Sequence, residues 1–379
     1  MSSTRTYLDY NATAPLRPAA RVAMLAALEA EGNPSSVHAE GRRARDIVET
    51  AREQVAQLVH AKAAEVVFTS GAAEANAWAL SGPWRRVIVS RLEHESILAA
   101  LARPDSEVVE VPVGASGQIE AGVMIDRVTD GSVAGPALVV LQAANNETGV
   151  VQPVADIAQH VSAHGLAMHC DAVQAIGRVA VDFDAIGCSF MSLSAHKIGG
   201  PKGIGALVIR DGTALAPLIP GGQERRRRGG TENVAAIAGF GAAAADAAAG
   251  LSATTRIATL RDRLERQVHA FAPNVVIVGE RAPRLPNTSC LALSGHRAET
   301  LVIRLDLMGF AVSAGAACSS GKVGTSHVLA AMGLDPGVAR GAIRISLGEA
   351  TTEADIDALL GAICEIAAGR TDRGLTLRV

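Results

Sequence analysis

Between residues 65 and 210, short apolar runs rich in β-branched residues alternate with helix-like segments, a rhythm that few architectures can satisfy. The runs cover residues 65–68, 86–89, 108–111, 137–141, 166–169, 190–193 and 206–209. Several are apolar throughout, as strands are when helices cover both faces of their sheet. The pattern predicts an α/β fold built on a mostly parallel sheet of seven strands. In open sheets of this kind ligand-binding groups gather at strand ends and helix starts. The polar motifs of this chain lie there.

At 379 residues the chain exceeds what one hydrophobic core usually supports, so a large domain (14–250) and a smaller α+β domain (1–13 and 251–379) are expected. An Ala-rich stretch, 235–245, runs into a heptad-like stretch, 256–268, and predicts a long helix joining the two. Further strands are expected at 275–278, 289–293 and 342–346, and a last helix from Thr352, where Asp355 takes the place of the usual Glu or Gln of a capping box. The net charge of -3 excludes bulk attraction to nucleic acid or anionic membrane. No run reaches the ~18 consecutive apolar residues of a membrane span, and residues 1–6 lack the basic-then-apolar order of a signal peptide. A cytoplasmic enzyme is the expectation. The five cysteines have neither disulfide-framework nor zinc-site spacing, and Cys290 and Cys364, inside apolar runs, are expected to be buried. His160 and His164 lack a third ligand; the negative end of a helix explains them better than a metal. Arg225 to Arg228 form a basic run, expected as a solvated loop that neutralises a nearby phosphate.

The chemistry concentrates around Lys197, in Ser194-Ala195-His196-Lys197 followed by a Gly-Pro turn, and around Asp171, one strand earlier. A lysine so placed can form a Schiff base with an aldehyde cofactor, and an aspartate can keep a cofactor ring nitrogen protonated, which makes the ring an electron sink. Residues 68–76 read as a strand, a small-residue turn and a helix start. The free N–H groups of Ala72 and Ala73 would seat a phosphate there, with Ser194 and His196 as further donors. His94 can stack on a flat ring and exchange protons near neutral pH, and Asn146 can bond a phenolic oxygen or a carboxylate. Each residue has a commonplace reading in isolation: a surface charge, a cap, an ordinary turn. Together they point to pyridoxal phosphate (PLP).

These residues carry a resemblance. With Asp9-Tyr10-Asn11, Gly32-Asn33-Pro34-Ser35-Ser36, Asn145-Asn146-Glu147-Thr148-Gly149, Gly221-Gly222-Gln223-Glu224-Arg225, Gly230-Thr231-Glu232-Asn233, Ala317-Cys318-Ser319-Ser320 and Ile343-Arg344-Ile345-Ser346, the chain resembles, nearly end to end, the cysteine desulfurases of iron–sulfur assembly. These belong to the class V aminotransferase branch of the fold-type-I PLP enzymes. The resemblance implies that Lys197 holds PLP, Asp171 pairs with its ring nitrogen, His94 stacks on the ring, and Gln174 and Asn146 contact its phenolic oxygen. It further implies that Arg344, with Asn146 and Asn11, binds the substrate, L-cysteine, and that Thr231 reaches the phosphate of the other subunit of a homodimer. A guanidinium suits a carboxylate because its planar fork stays charged.

Cys318 lies in a small-residue, Gly-containing segment without helical or strand periodicity, which reads as an exposed loop suited to a travelling nucleophile. The resemblance implies that it attacks the substrate sulfur, keeps a persulfide while alanine leaves, and passes sulfur to an acceptor or iron–sulfur scaffold protein. No resident metal is expected, although Cys318 could touch a cluster transiently. Alternative readings are a selenocysteine lyase, another class V aminotransferase-type activity, or a sulfur-relay scaffold without turnover. One departure stands out: Ala73 occupies a position where the family usually has Thr, so a phosphate would lose a hydroxyl donor there.

Overall fold

A computed structural model describes residues 5–101, 106–129, 135–315 and 326–368. The strands are β1 (Thr6–Tyr7), β2 (Val66–Thr69), β3 (Arg86–Ser90), β4 (Glu107–Val111), β5 (Ala137–Gln142), β6 (Ala167–Asp171) and β7 (Phe190–Ser194), then β8 (Gly205–Ile209), β9 (Val276–Ile277), β10 (Thr288–Ala292), β11 (Phe310–Ala311), β12 (Ser313–Ala314) and β13 (Ala342–Ser346). Strands β2 to β8 form one seven-stranded sheet in the order β2-β8-β7-β6-β5-β3-β4. Every pairing in it is parallel except the two made by β8, which runs against both β7 and β2.

The apolar runs have a plain cause. Along β5, Leu138 and Val140 join one buried cluster and Val139 and Leu141 another, because alternate side chains leave opposite faces and helices cover both. Only β4, at the edge, departs from this. It carries Glu107 and Glu110, paired with Arg86 and Arg91, and such charges discourage edge-to-edge association.

A second sheet, in the order β12-β13-β10-β9, and the short parallel pair β1-β11 lie with a separate apolar cluster formed largely by the helices Thr254–Phe271, Ala298–Leu307 and Glu353–Ala367. The two-residue strands β1, β11 and β12 escape periodicity because two residues define no period. The long helix is present but interrupted. Val234–Ala249 and Thr254–Phe271 are joined by a tighter turn, Gly250–Ala253. By length and composition the segment Val234–Phe271 could cross a membrane, yet half of its most apolar window is buried within the protein. The last helix begins as expected, with Thr352 and Asp355 exchanging both bonds of a capping box.

Two expectations are corrected. Cys364 is exposed on the last helix, since a helix inside an apolar run still has an outer face, whereas Cys290 is fully buried and its thiol is pushed up to about 12 by burial. The Arg225–Arg228 run is only half solvated. Arg225 pairs with Glu49, and Arg228 grips both oxygens of Glu74 at 2.9 and 3.2 Å. The first two residues of the run and the one before them are left-handed: Glu224, Arg225 and Arg226 (φ 47°, 57° and 64°). That conformation is held because the buried Glu224 carboxylate takes a bidentate pair from Arg52, at 2.7 and 2.9 Å, and the Phe68 N–H at 2.9 Å. His160 and His164 each bond the backbone carbonyl four residues earlier, Asp156 and His160 respectively, at 2.8 Å.

Candidate active site

Most of the expected site residues stand at or just beyond the C-terminal ends of strands of the large sheet. Gly71 and Ala72 follow β2, His94 follows β3, Asn146 follows β5, Asp171 ends β6, and Ser194 ends β7 with Lys197 one turn later. Parallel strands point these ends the same way, so residues between positions 71 and 197 converge. One cavity of about 580 Å³ is lined by Asn11, Ala72, Ala73, His94, Asn146, Asp171, Gln174, Ser194, His196, Lys197 and Arg344. Thr231 is absent from that lining. It borders an adjacent pocket that shares Ser70, Gly203 and Ile204 with the main cavity. Cys318 lies outside the described residues.

Lys197 Nζ donates to the carbonyls of Asn11 and Ala12, at 2.6 and 3.0 Å. Asp171 is buried; its Oδ1 accepts the Val173 N–H at 3.0 Å and its Oδ2 the side-chain amide of Asn76 at 3.0 Å. The helix Ala72–Leu80 starts at Gly71 with no side chain capping it, and space is open where a Cβ on Gly71 would point. An uncapped helix start facing a roomy cavity fits a phosphate. His196, beside it, is pushed down to about 4 by burial and by the nearby lysines 197 and 202, so near pH 7 it is a neutral donor. His94 caps its own short helix: Nδ1 accepts the Ser96 N–H at 3.1 Å, which leaves the ring proton on Nε2.

Arg344 is fixed from two sides. One terminal nitrogen binds Asp9 at 2.8 Å and the other the Asn146 carbonyl at 2.9 Å, while the buried Nε has no partner among the described residues. Asn11 ties the same region together through Asn146, Thr288 and Asn287. Gln174 is more engaged than the sequence implies. Its amide nitrogen bonds the Asn11 carbonyl at 3.1 Å, and its oxygen is held by Arg178, a buried guanidinium pushed down to about 9 by burial and by Arg344.

Sequence reasoning missed several members. Glu147 is buried beside Ser326, whose hydroxyl donates to it at 2.6 Å; burial pushes its carboxyl up to about 7. Glu93, next to His94, is pushed up to about 8 by burial, and one of its oxygens has no partner among the described residues. Asn76, Ser96 and His169 form a connected set behind Asp171. A signal existed for two of them: His169 lies two residues before Asp171, on the same strand face, and Asn76 lies one helical turn after Ala72.

The family model for aminotransferase class-V matches residues 6–359. The cysteine desulfurase of Cereibacter sphaeroides is 44% identical over 369 residues, 94% of each chain. Among solved structures, a NifS-like protein from Rickettsia africae superposes with a TM-score of 0.89 at 33% identity, covering 97% of this chain and 100% of that one. SspA, solved in complex with cysteine, superposes with a TM-score of 0.77 at 29% identity, covering 90% of this chain and 98% of that one. A match over nearly the whole length, on a fold that brings its strand-end motifs into one cavity, places this chain in the class-V aminotransferase family.

Proposed function

We infer that the protein is a PLP-dependent cysteine desulfurase that converts L-cysteine to L-alanine and leaves the sulfur as a persulfide on Cys318. The observation that carries this reading is the convergence of Lys197, Asp171, His94, Arg344 and an uncapped helix start on one cavity. Lys197 would hold the cofactor, Asp171 its ring nitrogen, and the N–H groups of Ala72 and Ala73, with Ser194 and His196, its phosphate. When bound, PLP supplies the electron sink that lets the substrate carbon–sulfur bond break. Arg344, already oriented by Asp9 and Asn146, would receive the substrate carboxylate. His94, with its proton on Nε2, would donate a hydrogen bond from that N–H to the substrate. The Cys318 thiolate bonds to the substrate sulfur, the bonding pair passes to carbon, and a proton completes alanine. No external oxidant is needed, because the substrate carbon is reduced as the two sulfurs become a persulfide. Thiol exchange then delivers sulfur to an acceptor or iron–sulfur scaffold protein.

A homodimer accounts for Thr231, which borders a pocket of its own and would serve the partner's phosphate. Exposed Val22, Leu25 and Leu28 on one helix support an apolar contact between copies. The large unit is proposed to span residues 14–250, with 1–13 and 251–379 forming the smaller one. The free thiols of Cys170, Cys188, Cys290 and Cys364 accord with a cytoplasmic, reducing setting.

The test is to incubate purified protein with PLP, L-cysteine and an acceptor thiol while measuring alanine and sulfide, with L-selenocysteine in a parallel arm. Wild type should release alanine and sulfide in equal amounts. Cys318→Ser should keep the visible cofactor band and release no alanine. No alanine from wild type refutes the activity, and wild-type rates from Cys318→Ser refute the role of that residue.

A further inference from the structure

We propose that Asn76, held by the buried imidazole of His169, is a positioning residue that sets both the carboxylate of Asp171 and, through Ser96, the ring of His94; the proposal rests on the cofactor reading above. Asn76 is fully buried, and its side chain makes three hydrogen bonds. Its Nδ2 lies 3.0 Å from Asp171 Oδ2 and 3.0 Å from Ser96 Oγ, and its Oδ1 lies 2.9 Å from His169 Nε2.

The chemistry of the partners decides which way the amide points. An ionised carboxylate only accepts, so the Asn76 atom facing Asp171 must be the NH2 group. The oxygen then faces His169, whose Nε2 must carry a proton. His169 Nδ1 is buried and has no partner among the described residues, so a second proton there would be an unpaired buried N–H. Burial accordingly pushes this imidazole down to about 4. A neutral ring with its proton on Nε2 therefore clamps the amide oxygen. A flip of Asn76 would bring two acceptors together at Asp171 and two donors together at His169.

The second arm runs through Ser96. Its hydroxyl accepts from Asn76, so its own hydrogen is free for His94 Nδ1, 2.9 Å away, which also accepts the Ser96 backbone N–H. One amide thus orients the carboxylate meant for a ring nitrogen and the imidazole meant for the ring face. Asp171 keeps capacity for that further donor, because each of its oxygens has one described donor and two lone pairs.

The test compares wild type, Asn76→Ala, His169→Phe and His169→Gln, each prepared without cofactor and titrated with PLP. Four quantities are read: the dissociation constant, the position and pH midpoint of the visible band, borohydride labelling of Lys197, and melting of the cofactor-free protein. A hydrogen bond to a charged group implies that Asn76→Ala and His169→Phe weaken PLP binding by about 10- to 100-fold and displace the band midpoint. His169→Gln keeps a donor facing Asn76 and should restore affinity to within about 3-fold of wild type. A role in stability alone would lower the melting temperature and leave the band midpoint unmoved, which would overturn the proposal, as would wild-type affinity in Asn76→Ala. Equal loss in His169→Gln and His169→Phe would remove His169 from it. If wild type itself gives no band and no label on Lys197, the cofactor reading has failed; a normal wild type with an unchanged Asn76 variant counts against Asn76 alone.

Discussion

Residue by residue, the site is a set of polar groups whose partners decide their chemistry. His94 and His196 would be interchangeable on composition, yet one has its Nδ1 committed to a backbone N–H and the other is kept neutral by burial beside two lysines. Ala73 is the residue where the chain departs from the motif it resembles. It lines the cavity at the uncapped helix start, where a hydroxyl could reach a phosphate oxygen. Ala73→Thr should therefore tighten PLP binding. The position is open to solvent, which weakens any added hydrogen bond, so the expected gain is about 3- to 10-fold in dissociation constant by equilibrium dialysis. Equal or weaker retention would show that the phosphate lies beyond reach of this position.

At the level of elements, close helix packing behind the sheet depends on small residues. In the helix Val234–Ala249, a Cβ added at Gly241 would lie 2.5 Å from the Cα of Ala51 in the helix Ala39–Leu58, and backbone cannot step aside as a flexible side chain can. Two effects oppose each other in Gly241→Ala. Helix propensity gains about 1 kcal/mol, while overpacking costs about 1–3 kcal/mol. With a backbone atom as the obstacle the clash should win, and denaturant titration should give a net loss of up to about 2 kcal/mol. A stabilised variant would mean that the two helices separate at little cost. The Ala-rich composition of this helix has the same origin: it packs against two others, the helices Pro18–Glu29 and Ala39–Leu58, at short range.

For the whole molecule, the buried titratable groups make stability depend on pH. Glu93 and Glu147 have folded values raised to about 8 and about 7, so the folded state holds protons that the unfolded chain releases above about pH 4.5. Their contribution is present in acid and is lost as pH rises through those folded values. His169 and His196, lowered to about 4, act in the opposite sense between about pH 4 and 6.5, because there the unfolded chain binds the extra protons. The two pairs offset each other up to about pH 6.5, and above it only the carboxyls remain. Glu93→Gln removes one of them. Measured against wild type without cofactor, its melting temperature should improve progressively from pH 6.5 to 8.5. A constant difference across that range would mean that Glu93 is ionised in the folded protein.

Much of this protein is legible in its amino-acid order, for a physical reason. Strands covered on both faces must be continuously apolar, so the seven runs between residues 65 and 210 mark their own positions, and strand-end chemistry follows from the topology of open sheets. Lys197, Asp171 and His94 could be named because each sits in a short local motif. What lies between motifs could not. The Asn76–His169–Asp171 set joins a helix to the inward face of a strand across 95 residues, the Arg344–Asp9 pair spans 335, and Arg52 fastens the left-handed turn at Glu224 from 172 residues away. Such contacts exist only once the sheet has brought strand ends together. The same holds for charge state: an isolated Glu titrates near 4.5, and only the dry surroundings of Glu93 and Glu147 move them towards neutrality. The order of residues determined which groups are present and on which elements; burial and long-range packing decided which of them meet, which way their protons point, and which are charged.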